Sequence, residues 1–357
     1  MISKLYNMRK IIVVGSGVIG LSGAMLLALD GFKVTVISRD IKEASSWVAG
    51  GMLAPFSEGL DGVLFDFSYE SLKLYPEYIK LISELSGQKI DFWDGGIYRV
   101  VLKGEEHLLR VAQNYKSMGY QVDVVEEPQR HMHWLSREVL SVVHYSQEAW
   151  IDAKMLMEAL LQAAKRLGVE FLEDSILKVV RKDGLVYQLE GAKDTYRADL
   201  YIFCVGAWSG ELLGLPVFPV KGQALKVGGA SVPRVHYSTI SYLIPRRDYL
   251  YIGATSEEKS FEVSNSLKGV HSLIEGAVRV VPNVEIGSLV SVFVGFRPAT
   301  PDGMPIIERG GNFMAMTGHY RNGILHAPLS AKLVVDFVEV KGYSPYYQAF
   351  SPDRFSA

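Results

Sequence analysis

The chain has 357 residues, of which 48% are apolar, with one cysteine and a formal net charge of −2. That length exceeds one ordinary domain and predicts two intertwined domains around a sizeable core. The single cysteine, Cys204, excludes an intrachain disulfide and a cysteine-rich metal site, and the near-neutral charge argues against nucleic acid, since Arg246-Arg247 is too short a basic run.

No uninterrupted apolar segment is long enough to span a bilayer, so no membrane span is expected. The opening MISKLYNMRK leads straight into an apolar run rather than a signal-peptide cleavage region, so a cytoplasmic protein is the natural expectation. From Lys10 to Ser38 the apolar run Ile11 to Val14 meets Gly15, Gly17 and Gly20 in G-x-G-x-x-G spacing. A small-residue helix follows, ends at Asp30-Gly31, and leads to a second strand at Val34 to Ile37. Gly15 permits the tight turn, Gly17 lets a pyrophosphate approach the backbone, and Gly20 brings helix against sheet. The helix N-terminus offers free N–H groups and a positive dipole end to phosphates. A dinucleotide site is therefore expected here.

The next loop, Ser45-Ser46-Trp47-Val48-Ala49-Gly50-Gly51-Met52, pairs hydroxyls with glycines that allow close backbone approach to a ligand. Helical spacing runs from Tyr69 to Leu85 despite Pro76 and stops at Gly87; a strand follows at Ile97 to Leu102, then a helix over Glu105 to Met118. His131, His133 and His144 lie near one another in sequence, but no acidic residue completes a ligand spacing, so no metal is expected. Asp152 caps a helix over Ala153 to Leu167. Short strands follow at Val169 to Leu172, Ile176 to Val180 and Val186 to Leu189, and the buried run to Cys204 ends at Gly206. Residues 217 to 296 read as strand-rich, and Phe313 to Met316 returns to the first domain ahead of a final amphipathic helix. The expected fold class is α/β, α+β overall: a Rossmann-like dinucleotide-binding domain with an inserted antiparallel-sheet substrate domain. The boundaries are 1–88, 145–216 and 302–357 for the first and 89–144 and 217–301 for the second.

Arg297, between Phe296 and Pro298 at the end of an apolar strand, needs a partner; a substrate carboxylate and a protein carboxylate are both open. Tyr242 could aim its hydroxyl at the same group. No G-x-S-x-G, HExxH or P-loop supports a hydrolase or phosphotransferase.

The motifs GSGVIG, SSWVAGGMLAP, VGAWSG, PVKGQ, YLIPRRD with YIGAT, GFRPATPDGMPIIE and GHYRNGIL occur in the order of the D-amino acid oxidase family. The chain resembles that family from about Lys10 to Phe337, and within it the glycine oxidase branch of thiamine biosynthesis. The resemblance implies FAD. Val18 and Ile19 would lie under the diphosphate, Ser38 and Arg39 near the ribose, and Ser45, Ser46, Gly50, Gly51 and Met52 along the cofactor. Leu177 would reach the adenine side through its backbone. His319, Tyr320, Arg321, Asn322, Gly323, Ile324 and Leu325 would line the flavin ring, where a helix N-terminus favours negative charge. Arg297, Tyr242 and Arg321 would meet the substrate carboxylate. The implied reaction is hydride transfer from the Cα of glycine or another small amino acid to flavin N5, giving an imine, with molecular oxygen as acceptor and hydrogen peroxide as product.

Three departures accompany the resemblance. Ser38-Arg39-Asp40 stands where relatives place an acid, which keeps a 2′-phosphate and NADP open. His326 replaces an aliphatic residue, and Ile240 stands near a position that is polar in some relatives. No cysteine lies where sarcosine oxidases attach flavin, so the FAD is expected to be non-covalent. A D-amino acid or sarcosine oxidase or dehydrogenase remains the nearer alternative, and a non-catalytic dinucleotide-binding scaffold the more distant one; a homo-oligomer is left open.

Overall fold

The structure, a computed structural model, describes residues 9–258 and 261–356. Its six-stranded sheet is built outward from Lys10–Val14, which pairs in parallel with Lys33–Ser38 on one side and Leu200–Phe203 on the other. Glu170–Glu173 and Phe313–Thr317 extend it in parallel, and Ile306–Arg309 closes one edge antiparallel. Strand alternation sorts the apolar run. Ile11 and Val13 join the core beneath four helices, Val18–Leu29, Gly62–Ser86, Ala153–Arg166 and Gly323–Val338. Ile12 and Val14 pack on the opposite face with Val186 and Leu189 of a three-stranded antiparallel sheet.

A nine-stranded sheet uses segments from Ile97–Leu102 to Val139–Tyr145 and from Phe218–Gly228 to Ser288–Ala299. The strands of the two large sheets thus alternate along the chain in blocks. Pairing in the second is antiparallel except where His236–Tyr237 runs parallel to Ile97–Leu102.

Several elements differ from the sequence reading. The strand-rich reading of 217–296 misses the helix Leu267–Val280, whose Leu273, Ala277 and Val280 pack on the second sheet. Its signal was present: Ser266 Oγ accepts from Gly269 N at 3.1 Å, and the apolar positions repeat at helical spacing. The helix Gly62–Ser86 begins two turns before Tyr69, because Phe65 and Phe67 add buried positions; it stops at Gly87, with φ +68°, as expected. Asp152 caps Ala153–Arg166 by accepting from Met155 N at 3.1 Å.

A buried guanidinium and a buried carboxyl hold the loop that runs from Gly50 to Glu58. The Arg246 side chain donates to the carbonyls of Gly50 at 2.6 Å and Ile151 at 3.1 Å, and pairs with Asp152 at 3.4 Å. Glu148 is fully buried; its Oε1 accepts from the backbone N–H groups of Phe56 and Ser57, both at 2.8 Å, and its Oε2 meets the Ser57 hydroxyl. Burial pushes the Glu148 carboxyl up to about 8, against the pull of the Ser57 and Phe56 donors.

A carboxyl whose folded pKa lies above its unfolded one binds its proton more tightly in the native state. Its contribution to stability is therefore complete below about pH 4.5 and is lost as pH rises through about 8. The wild type should lose up to about 1.4 kcal/mol per pH unit across that window from this group. Glu148→Gln, which preserves the neutral hydrogen-bond pattern, should flatten the slope. Urea unfolding midpoints of both proteins across the window check this, and parallel pH profiles would refute it.

Candidate active site

A cavity of ≈390 Å³ runs along the C-terminal ends of the parallel strands, where a doubly wound sheet binds its ligands. Gly15, Gly17, Val18 and Ile19 line it at the first turn, Ser38 and Arg39 at the second strand end, and Ser45 and Ser46 at the following loop. Leu177, Gly206, His319, Tyr320 and Gly323 complete the residues that the sequence singled out. A second cavity of ≈100 Å³ adjoins it, lined by Gly50, Gly51, Met52, Tyr242, Arg297, Arg321, Asn322 and Ile324. Ser45, Ser46, Tyr320 and Gly323 face both.

Gly20 and Leu325 line neither. A Cβ on Gly20 would stand 2.1 Å from the Gly15 carbonyl oxygen, so this position serves helix packing alone. Leu325 is fully buried in the core beneath the final helix.

The turn fits a dinucleotide. A Cβ on Gly17 would come no closer than 3.6 Å to any protein atom, so its bareness leaves room for a ligand rather than for the fold. The helix that begins at Val18 has no side-chain cap at Gly17, which leaves its N-terminus to the cavity. Ser46 Oγ accepts from Val18 N at 3.1 Å and so ties the second loop to the first.

At the second strand end, Arg39 is already engaged. Its guanidinium forms two bonds with Glu43 and lies over the Trp208 ring at 5.1 Å; the Glu43 bond raises its pKa. Asp40, Glu43, Asp174 and Glu211 line the same mouth, surroundings that suit a ribose better than a 2′-phosphate. Ser38 is held by Ser16 Oγ, which donates to it at 2.9 Å, while its own hydroxyl donates to Asp40 O at 3.1 Å. Cys204 lies under the turn, where burial pushes its thiol up to about 12.

The small cavity is walled by aromatic rings. Tyr242 stacks between Tyr251 and Tyr237, with centroids at 6.3 and 6.1 Å, and Tyr251 donates to Val48 O at 2.8 Å. Gly50 permits this, since a Cβ there would meet Ile244 at 2.8 Å and both Tyr242 and Tyr251 at 3.3 Å. Two guanidinium groups share the space. Arg297 lies over the bare Gly222 and donates to Thr255 O at 3.0 Å, with no carboxylate partner among the described residues. Arg321 differs: burial opposes its charge, but Glu58, Tyr237 and Tyr320 outweigh that and raise its pKa. Glu58 is the residue that sequence reasoning missed; an acid after the S-S-W-V-A-G-G loop carries no motif of its own.

His131 and His133 are exposed, and His144 Nε2 sits 3.2 Å from Gly95 O. No group of three or more His, Cys, Asp or Glu side chains that could hold a metal occurs among the described residues. No helix among them is long and apolar enough to cross a membrane.

The bifunctional protein ThiO/ThiG of Trichormus variabilis is 37% identical over 97% of this chain and 55% of its own length; the chain spans about half the length of such relatives. Glycine oxidase of Geobacillus kaustophilus is 31% identical over 92% of both chains. The crystal structure of glycine oxidase from Geobacillus kaustophilus superposes with a TM-score of 0.91 at 28% identity, over 97% of this chain and 99% of that one. The family described as FAD dependent oxidoreductase, DAO, matches residues 10–337, and with the glycine turn, the two joined cavities and the fold in agreement, the chain belongs to it.

Proposed function

We propose that this chain catalyses FAD-dependent oxidative deamination of glycine or another small amino acid, releasing an imine that water converts, for glycine, to glyoxylate and ammonia. The observation that carries this reading is a ≈100 Å³ cavity that holds the unpaired Arg297 guanidinium and opens beside the dinucleotide cavity. Its size favours a substrate of few heavy atoms. The glycine oxidase and ThiO/ThiG names of the relatives support the same chemistry. A role in forming the thiamine thiazole, oxygen as electron acceptor, non-covalent FAD and a cytoplasmic location belong to the proposal. The two-domain division drawn from the sequence belongs to it as well.

The residues that line the larger cavity would hold FAD, which would supply a two-electron acceptor beside the smaller one. The protein's part is to position. Arg297 binds the substrate carboxylate through its planar fork, and the Tyr242 hydroxyl adds a second donor. Arg321, whose pKa Glu58, Tyr237 and Tyr320 raise against the opposing effect of burial, places a second positive charge in the same cavity and meets the carboxylate beside Arg297. The Tyr251, Phe293 and Ala54 walls keep the reacting carbon away from water. No protein base is needed at Cα, because the substrate reacts as its neutral amine.

Arg297→Ala should raise KM for glycine by about 100-fold, the cost of removing one side of a buried charge pair, while leaving the visible flavin spectrum and FAD content unchanged. Equal loss of FAD and substrate binding would make Arg297 structural. Anaerobic addition of glycine to the yellow holoenzyme should bleach the flavin absorption, and air should restore it with release of hydrogen peroxide. Sarcosine and D-alanine in the same assay rank the substrates. A bleached flavin that oxygen fails to restore identifies a dehydrogenase, and an unresponsive flavin with all three amines refutes the catalytic reading.

A further inference from the structure

His326 is a fully buried imidazole in the first turn of the apolar helix Gly323–Val338, with its ring edge-on to Phe67 at 4.9 Å. Its Nε2 lies 2.8 Å from Ser68 Oγ and its Nδ1 lies 3.1 Å from Nδ1 of His319. His319 is only 4% exposed, lines the larger cavity, and has no protein partner for its Nε2 among the described residues. Burial lowers the His319 pKa to about 3 and, with His319 beside it, holds His326 well below its ordinary range. Each ring is therefore neutral and carries a single proton.

Two proton arrangements satisfy the contact between the rings. In one, Ser68 donates to His326 Nε2, His326 Nδ1–H donates to His319 Nδ1, and His319 keeps its proton on Nε2. In the other, every bond is reversed: His319 Nδ1–H donates to His326 Nδ1, and His326 Nε2–H donates to Ser68 Oγ. The reversal strands the Ser68 hydroxyl proton, which has no other partner among the described residues, and leaves a bare lone pair on His319 Nε2. The first arrangement leaves one unmet group, the second two, and a buried donor without an acceptor is costly. The count selects the first.

We propose that Ser68 and His326 lock His319 in its Nε2–H tautomer, and that this N–H is donated to an acceptor atom of the bound FAD. His326 is then a positioning residue for the cofactor, acting through His319 without touching the ligand. The inference rests on FAD binding alone and holds whichever amine is oxidised.

Long-range proton–nitrogen NMR on protein labelled at its histidines, free of FAD and loaded with it, reads the tautomer directly. The expected result is His319 protonated on Nε2 in both states, with that proton shifting when FAD binds. His326→Leu should weaken FAD binding by about tenfold, the loss of one well-placed hydrogen bond, and move the visible flavin bands. His326→Asn, whose amide N–H can replace the Nδ1–H, should recover most of the affinity. A wild-type His319 protonated on Nδ1, an Nε2 proton indifferent to FAD, or equal FAD loss in both variants would each overturn the proposal. The wild-type spectra decide even if His326→Leu does not fold.

Discussion

The structure depends on one close backbone contact. Gly15 adopts φ +106° and presses against Cys204, where a Cβ would stand 2.3 Å from the carbonyl oxygen, and Gly20 closes over Gly15 with even less room. Side chains at either position would lift the helix Val18–Leu29 off the sheet. The parallel strands Lys10–Val14 and Leu200–Phe203 are brought together at the same spot, so the contact joins segments nearly two hundred residues apart. Everything that lines the larger cavity hangs from this junction: the bare Gly17, the strand end at Ser38, and the loop at Gly206.

The second constraint is polar. Loops over a cavity are held by few apolar contacts, and here a buried guanidinium and a buried carboxyl do the holding. Arg246 fastens Gly50 and Ile151 from one side, and Glu148 fastens Phe56 and Ser57 from the other. Both come from outside the loop. The final helix uses the same device: Pro328, its sixth residue, cannot bond the Ile324 carbonyl, and the Tyr75 hydroxyl takes that carbonyl instead while Ser71 donates to Leu325 O at 2.7 Å. Such partners are distant in sequence, and each is a single polar side chain in an otherwise apolar stretch.

That distinction explains what the sequence could show. The glycine turn, the alternating strands and the Asp152 cap are local signals, and each is visible in a short window of residues. The block-wise division of strands between two sheets was legible from the strand at Ile97 to Leu102, the strand-rich stretch from 217 to 296 and the return at Phe313 to Met316. Glu58 and the engagement of Arg39 by Glu43 were not legible, because the first depends on a fold-wide meeting with Arg321 and Tyr237 and the second on which way a surface turn points. The helix Leu267–Val280 was missed for a different reason: its neighbours are strands, and a 14-residue pattern was absorbed into theirs. The open question at Arg297, between a ligand carboxylate and a protein one, could be narrowed only by seeing which acids lie nearby.

The two cavities share a wall made of Ser45, Ser46, Tyr320 and Gly323. Any ligand that orders those residues from one side changes the free energy of occupying the other. By thermodynamic linkage the effect runs equally both ways: whatever factor a ligand in one cavity contributes to affinity in the other, the second ligand returns to the first. A site of this construction has no independent binding constants, and the stability of the protein loaded in one cavity becomes a function of the concentration of whatever ligand fills the other.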